Sequence, residues 1–257
     1  MDRKVPLIQG SRATCGIAVM AKASEPGRTK TRLVPPLTYE EAAALNTAFL
    51  KDIAANIAAA GGEQSISGYV AFGPPGSDAF FESTLPPSIR RIESWYPNFG
   101  DCLFSTIKQI FDGGRESAVV LNSDSPTLPT ALLVETAAVL ARPGDRAVLG
   151  PSIDGGYYLL GLKQQHRRLF EDVAWSTEHV AQQTLERAQQ IGLDVHLLPE
   201  WYDVDDLQAL KMLRSELYDG SSFSGTLEPY AAPYSKQLVQ SLLDHADLAR
   251  RLERVAA

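Results

Sequence analysis

The residues of this sequence that could do chemistry fall into two groups of opposite charge. Lys22, Arg28, Lys30 and Arg32 place four cations within eleven residues, on a loop that also carries Pro26, Gly27 and Thr31, with Glu25 as the acid among them. Such a loop suits a polyphosphate. Glycine lets the backbone approach the anion, and Lys and Arg supply charge-assisted hydrogen bonds of about 1.5–3 kcal/mol each. The acidic group is Asp124, in Ser123-Asp124-Ser125-Pro126, with Asp203, Asp205 and Asp206. A magnesium ion takes one or two carboxylates plus phosphate oxygens and waters, which these acids and a loop-held substrate could provide. Metal and cations would then neutralise charge on a phosphoryl group, and no protein nucleophile is required. Each group has a plainer reading as well. Surface loops are often charged, Asp124 could cap the turn before Pro126, and Asp206 could cap a helix. Capping accounts for only one of the three carboxylates within four residues, which repel unless something positive lies beside them.

Other chemistries lack their residues. The chain has no G-x-x-x-x-G-K-[ST], no G-x-G-x-x-G and no G-x-S-x-G. His166, His179, His196 and His245 have neither ligand spacing nor nearby cysteines, and Cys15 and Cys102 form no CxxC pair or disulfide framework. A net charge of −7 speaks against nucleic acid as partner. The apolar run from Ile17 to Met20 is too short for a signal-peptide core, and no stretch approaches a membrane span. Together with the cysteine usage, this predicts a cytoplasmic protein with no membrane partner.

The elements that must position these groups can be read from periodicity. With 257 residues, 44% of them hydrophobic, the chain is long enough for one large domain with an appendage. Residues 1–14 read as a flexible tail. Gly16 to Met20 is a buried strand leading into the cationic loop. Thr38 and Glu41 form a capping box that opens a helix through about Ala60, with Ala42, Leu45, Phe49, Ile53 and Ile57 on one face. Strands are expected at 66–72, 89–95, 118–121, 147–149, 157–161 and 195–198. Helices are expected from Asn98 to Phe111, from Pro129 to Leu140, from Glu178 to Ile191 (capped by Ser176 or Thr177), and after Asp206. Alternation of strand and helix predicts a three-layer α/β fold with a mostly parallel, mixed sheet, and Asp124 stands at a strand end, where ligands of such sheets collect. Asp154-Gly155-Gly156 is either a hairpin turn or a ligand loop. Residues 220–235 read as a linker. A helix over 236–257 follows, and its stripe of Leu238, Leu242, His245, Ala249, Leu252 and Val255 calls for a partner surface, on the same chain or on a second copy in a homodimer.

Taken in order, Lys22…Pro26-Gly27-x-x-Lys30-Thr31-Arg32-Leu33, Gly100-Asp101, Ser123-Asp124-Ser125-Pro126, Asp154-Gly155-Gly156-Tyr157-Tyr158, Trp175-Ser176-Thr177 and Asp203-Val204-Asp205 resemble one family over about residues 15–215. It is the GT-A nucleotide-diphospho-sugar transferase superfamily, in particular its glycosyltransferases associated with radical-SAM/selenodomain proteins. More distantly the chain is similar to the molybdenum cofactor and 2-phospho-L-lactate guanylyltransferases. The resemblance implies a Rossmann-like GT-A sheet and a nucleotide held by Lys22, Pro26, Gly27, Lys30, Thr31, Arg32, Gly100, Asp101, Ser123 and Ser125. It implies magnesium, or manganese in its place, on Asp124 with Asp205 and Asp203, and an acceptor near Asp154, Gly155, Gly156, Tyr157, Trp175 and Ser176. The chain departs from the pattern twice. Asn98 and Cys102-Leu103-Phe104-Ser105 stand where the family has Gln and Leu-Gly-x-Arg, and Asp206-Leu207 follow Asp205 without the usual Thr-Pro-Glu. Three functions are consistent with this reading. Nucleotidyl transfer from an NTP to a small phosphorylated acceptor, with Lys30, Arg32 and Asp124 as catalytic residues, is favoured by four cations on one loop. Glycosyl transfer from a nucleotide sugar is favoured by the family's usual label, and a non-catalytic nucleotide-binding module by the two departures.

Overall fold

The computed structural model describes residues 14–254, so nearly all of the expected tail and Val255 lie outside the described residues. Seven strands, β1 (Cys15–Lys22), β2 (Ile66–Gly73), β3 (Arg90–Glu93), β4 (Ser117–Leu121), β5 (Ala147–Pro151), β6 (Tyr157–Leu162) and β7 (Val195–Leu197), make one sheet in the order β3-β2-β1-β4-β6-β5-β7. β6 runs antiparallel to β4 and β5, and the remaining pairs are parallel. The helices are α1 (Tyr39–Gly61), α2 (Asp78–Thr84), α3 (Phe99–Asp112), α4 (Thr130–Leu140), α5 (Val180–Gln190), α6 (Leu207–Tyr218), α7 (Pro233–His245) and α8 (Leu248–Arg254). Among the described residues, no helix is long and apolar enough to cross a membrane.

The two-residue period of the strands splits the core between the two faces of the sheet. Ile17 and Val19 of β1 pack with α1, α4, α6, α7 and α8, whereas Ala18 and the Val120 of β4 pack with α3 and α5. This is the mixed three-layer α/β fold expected. α1 starts where the capping box places it: Thr38 Oγ1 accepts from the Glu41 backbone N–H, and the Glu41 carboxylate accepts from that of Thr38. Asn98 caps α3 and Asp206 caps α6 through side-chain oxygens.

The C-terminal region departs from the sequence reading. The segment expected as a linker is stitched down, with Tyr230 N–H donating to Thr127 O and Phe223 packed against Trp201 and Tyr202. The single helix expected over 236–257 is two, α7 and α8, parted at Ala246 and Asp247, the latter in a left-handed conformation at φ 54°. Val239, Leu242, Leu248 and Leu252 bury in the same core as β1 and α1. Leu238, Leu242 and Leu252 of the expected stripe therefore meet a surface of their own chain, whereas His245 and Ala249 are exposed. At the α1–α7 junction the fully buried Asp52 carboxylate accepts the backbone N–H groups of Tyr234 and Ser235 and the Ser235 hydroxyl, at 2.9, 2.8 and 2.5 Å. α2 also lies in a stretch for which the sequence suggested no element.

Candidate functional site

β1 is flanked by β2 on one side and β4 on the other, so the winding of the sheet reverses between β1 and β4, and a crevice opens beyond their C-terminal ends. A pocket of about 580 Å³ lies there, within the range of about 300–1,000 Å³ usual for small-molecule sites. Its floor is the ends of the strands: Met20 to Lys22, Ala71 to Gly73, and Asn122 to Asp124. One wall is the loop from Arg28 to Arg32, another is Ser94, Trp95 and Phe99, and Asp205 closes the remaining side.

The cationic loop is shaped by its acid. Glu25 takes the backbone N–H groups of Arg28 and Thr29 on its carbonyl, and its carboxylate pairs with Arg28 at 3.0 Å. Gly27, at φ 77°, makes the turn that this wrapping requires. Lys22 projects over the Trp95 ring, 5.6 Å from its centroid. Arg32 is exposed and lines the pocket, with no hydrogen bond or ion pair to another described residue.

Lys30 is placed differently. It adopts a left-handed backbone at φ 51°, uncommon for a residue with a side chain, and its ammonium turns away from solvent. Its Nζ donates to Asp205 Oδ1 at 2.6 Å and to the Val204 carbonyl at 2.9 Å, and forms an ion pair with Asp124 Oδ1 at 2.7 Å. The side chain is 5% exposed. Burial alone would lower its pKa, but the charges and hydrogen bonds of the two carboxylates outweigh that and raise it. Asp205 reaches this position because the chain after β7 is bound to the end of β4. Val204 N–H donates to Asp124 O at 2.9 Å, and Ser125 Oγ donates to Tyr202 O at 2.8 Å. Trp201 and Tyr202, both fully buried, anchor the segment from beneath.

The three neighbouring carboxylates thus meet different fates. Asp205 pairs with Lys30 and Asp206 caps α6. Asp203 accepts from Ser152 Oγ at 3.0 Å, and burial, followed by the nearby charges of Asp154 and Asp205, pushes its carboxyl up to about 6. Asp124 and Asp205 keep 28% and 43% of their side chains exposed and both line the pocket. Two hard oxygen donors lining this pocket fit a divalent cation whose remaining ligands are phosphate oxygens and water.

Of the other residues singled out from sequence, Lys22, Thr31, Arg32 and Ser123 line this pocket. Pro26 and Gly27 sit on the exposed outer turn of the loop. Ser125 is buried beneath Tyr202 O. Gly100 packs against the Phe170 carbonyl and the Trp175 ring, closer than any Cβ would allow, and Asp101 pairs with Arg167 at 2.9 Å. Both lie outside the pocket wall, on the α3 side. Asp154-Gly155-Gly156 is the turn of the β5–β6 hairpin, with Gly155 at φ 86° against the Glu178 backbone. Tyr157 faces the core and Ser176 the solvent, while Trp175 stacks edge-on against Phe99 at 5.5 Å. Trp95, Phe99 and Asn122 also line the pocket, and no motif in the sequence marks them. Gly73 is the residue whose lack of a side chain admits the Trp95 ring.

Comparison with known proteins follows the same lines. A family model described as an uncharacterized protein conserved in bacteria (DUF2064) matches residues 56–177. No curated protein matches the chain in sequence. Among solved structures, a candidate nucleotide-diphospho-sugar transferase from Desulfovibrio desulfuricans G20 is 24% identical, with a TM-score of 0.78 over 93% of this chain and 98% of that one. CMP:2-keto-3-deoxy-manno-octonic acid synthetase, solved with CTP, is 11% identical, with a TM-score of 0.52 over 81% of this chain and 100% of that one. A cytidylyltransferase from Leptospira borgpetersenii serovar Hardjo-bovis is 10% identical, with a TM-score of 0.52 over 92% and 97%. The chain therefore shares its α/β fold with these structures.

Proposed function

We propose that the protein transfers a nucleotidyl group from an NTP to a small phosphorylated acceptor, with magnesium or manganese as cofactor and pyrophosphate as the second product. The observation that carries this reading is the mixed charge of the pocket lining, where the cations Lys22, Arg28 and Arg32 share one cavity with the carboxylates Asp124 and Asp205. Arg32, without an ionic partner among the described residues, is the cation best placed to take the β- and γ-phosphates, where it would stabilise charge developing on departing pyrophosphate. Asp124 and Asp205 would hold the divalent cation, which supplies charge neutralisation at the reacting phosphoryl group when bound. Trp95 and Phe99 offer apolar surface for the nucleoside. The acceptor would enter from the Asp154–Gly156 turn, whose Asp154 already acts on Asp203 beside the carboxylate pair. Likeness to a synthetase solved with CTP supports the nucleotide part of the reading.

A second reading, glycosyl transfer from a nucleotide sugar, draws on the likeness to the candidate nucleotide-diphospho-sugar transferase. Product analysis separates the two. The protein is incubated with magnesium, each NTP, each common nucleotide sugar and a pool of phosphorylated acceptors. Pyrophosphate together with a nucleotidylated acceptor is the expected result. Release of nucleoside diphosphate from a sugar nucleotide, with no pyrophosphate from any NTP, would replace the proposal with glycosyl transfer.

A further inference from the structure

We propose that Lys30 is a resident counter-cation of the Asp124–Asp205 pair, a positioning residue that holds the two carboxylates together and keeps divalent cations weakly bound until phosphate arrives with them. The inference deepens the proposed function by assigning metal selectivity at that same site, and it rests on the carboxylate pair described there. The cationic loop suggests a phosphate ligand at this position, and the geometry points elsewhere. The ammonium donates to Asp205 at 2.6 Å and to Val204 O at 2.9 Å and pairs with Asp124 at 2.7 Å. The side chain is 5% exposed, and its ammonium lies 5.6 Å from the centroid of the Phe49 ring, a cation–π contact that further favours a cation there. A left-handed backbone is tolerated to aim it, a local strain of the kind that persists where the surroundings require a particular geometry.

Two carboxylates and one ammonium leave the cluster with a net charge of −1. A divalent cation entering alone would meet a site already half neutralised, with one oxygen of each carboxylate committed to Lys30. A cation arriving with polyphosphate brings its own anionic ligands, and Arg32 and Lys22 line the same pocket to receive them. Lys30 thus biases the site towards a metal–nucleotide complex and away from free metal.

The test needs neither turnover nor nucleotide. Mn2+ is titrated into the nucleotide-free protein, and free Mn2+ is counted by electron paramagnetic resonance. Wild type is expected to bind Mn2+ only weakly, in the millimolar range. Lys30→Met keeps the buried apolar stem and removes the charge. It should tighten Mn2+ binding by about tenfold or more, the size expected for lifting a unit of like charge a few ångströms from a divalent ion in a solvent-open pocket. Lys30→Arg keeps the charge and should stay weak, whereas Lys30→Met/Asp124→Asn should lose the gain. Melting curves establish that each variant is folded. Mn2+ affinity in folded Lys30→Met that is unchanged or weaker overturns the proposal. If Lys30→Met does not fold, the wild-type titration decides, because micromolar Mn2+ binding without nucleotide would equally overturn it. A protein that transfers no nucleotidyl group would sink the proposed function and leave this result standing.

Discussion

Two buried clusters of charge, one at the α1–α7 junction and one at the end of β4, use carboxylates to opposite ends. Asp52 is fully enclosed, and its partners are two backbone N–H groups and one hydroxyl, none of them charged. Burial raises its pKa despite these hydrogen bonds, and it is not among the residues lining the pocket at the strand ends. Asp124 and Asp205 share one buried ammonium instead, and remain partly exposed to a pocket large enough for a small molecule. A carboxylate satisfied by fixed dipoles fastens one helix to another. One satisfied by a tethered cation can exchange that partner, which is what a binding site needs.

The comparison predicts that substitutions at the first cluster change stability and those at the second change binding. The largest effect should come from Asp52→Ala, which strands three donors inside the core and should cost about 3–5 kcal/mol in a denaturant titration. Below its lowered melting point the variant should bind nucleotide as wild type does, and a specific loss of binding in the folded protein would break the contrast. Asp124→Asn keeps the shape and removes the charge a hard cation needs. Its melting point should hold within a few degrees, while the strengthening of nucleotide binding by magnesium falls by about 2–3 kcal/mol, roughly a hundredfold. Asp205→Asn should follow in the same direction by less, since the amide oxygen remains a donor. If magnesium helps Asp124→Asn as much as wild type, Asp124 only shapes the turn. Arg32→Ala, acting on the phosphate wall alone, should weaken nucleotide binding about tenfold, by isothermal titration, and flatten its dependence on salt.

The smallest effect sharpens the structural side. Glu41 closes the α1 capping box and pairs with Arg251 of α8 at 2.7 Å. Burial would raise its pKa, but the hydrogen bond from Arg251, the Thr38 N–H and the Arg251 charge together lower it. A depressed carboxylate contributes stability above its unfolded pKa and loses it as pH falls through the folded one. Glu41→Gln should therefore destabilise by about 1 kcal/mol at pH 7, and the two melting curves should converge towards pH 3. A difference that persists undiminished at pH 3 would show that the carboxylate charge contributes nothing.

What the sequence makes legible is local. The capping box at Thr38 and Glu41, the Asp206 cap and the strand that delivers Asp124 are each written in a few adjacent residues, and all appear in the fold. The alternation of strands and helices likewise implies the sheet. The site is legible as two lists, cations and carboxylates, but their pairing is not. Nothing near Lys30 in sequence says that its ammonium is used by Asp124 and Asp205, because that depends on the chain after β7 returning to the end of β4. The same limit applies to Gly100, whose tight contact is with Trp175 far along the chain, and to Asp52, whose partners lie on α7. The break between α7 and α8 escapes a reading by period because the apolar stripe continues across it.

The hydrogen bond from Val204 to Asp124 also bears on when the site comes into being. Lys30 and Asp205 are 175 positions apart, and closing so long a loop is entropically costly until much of the sheet exists to hold it. A chain still emerging from the ribosome can form β1, α1 and β2 from local and short-range contacts, yet it has no carboxylate pair until the segment after β7 is free to dock. Assembly of the pocket thus requires the chain through Asp205. A ligand bound as proposed would be available only to the completed molecule, where it would tie together β1, β4 and the final return of the chain.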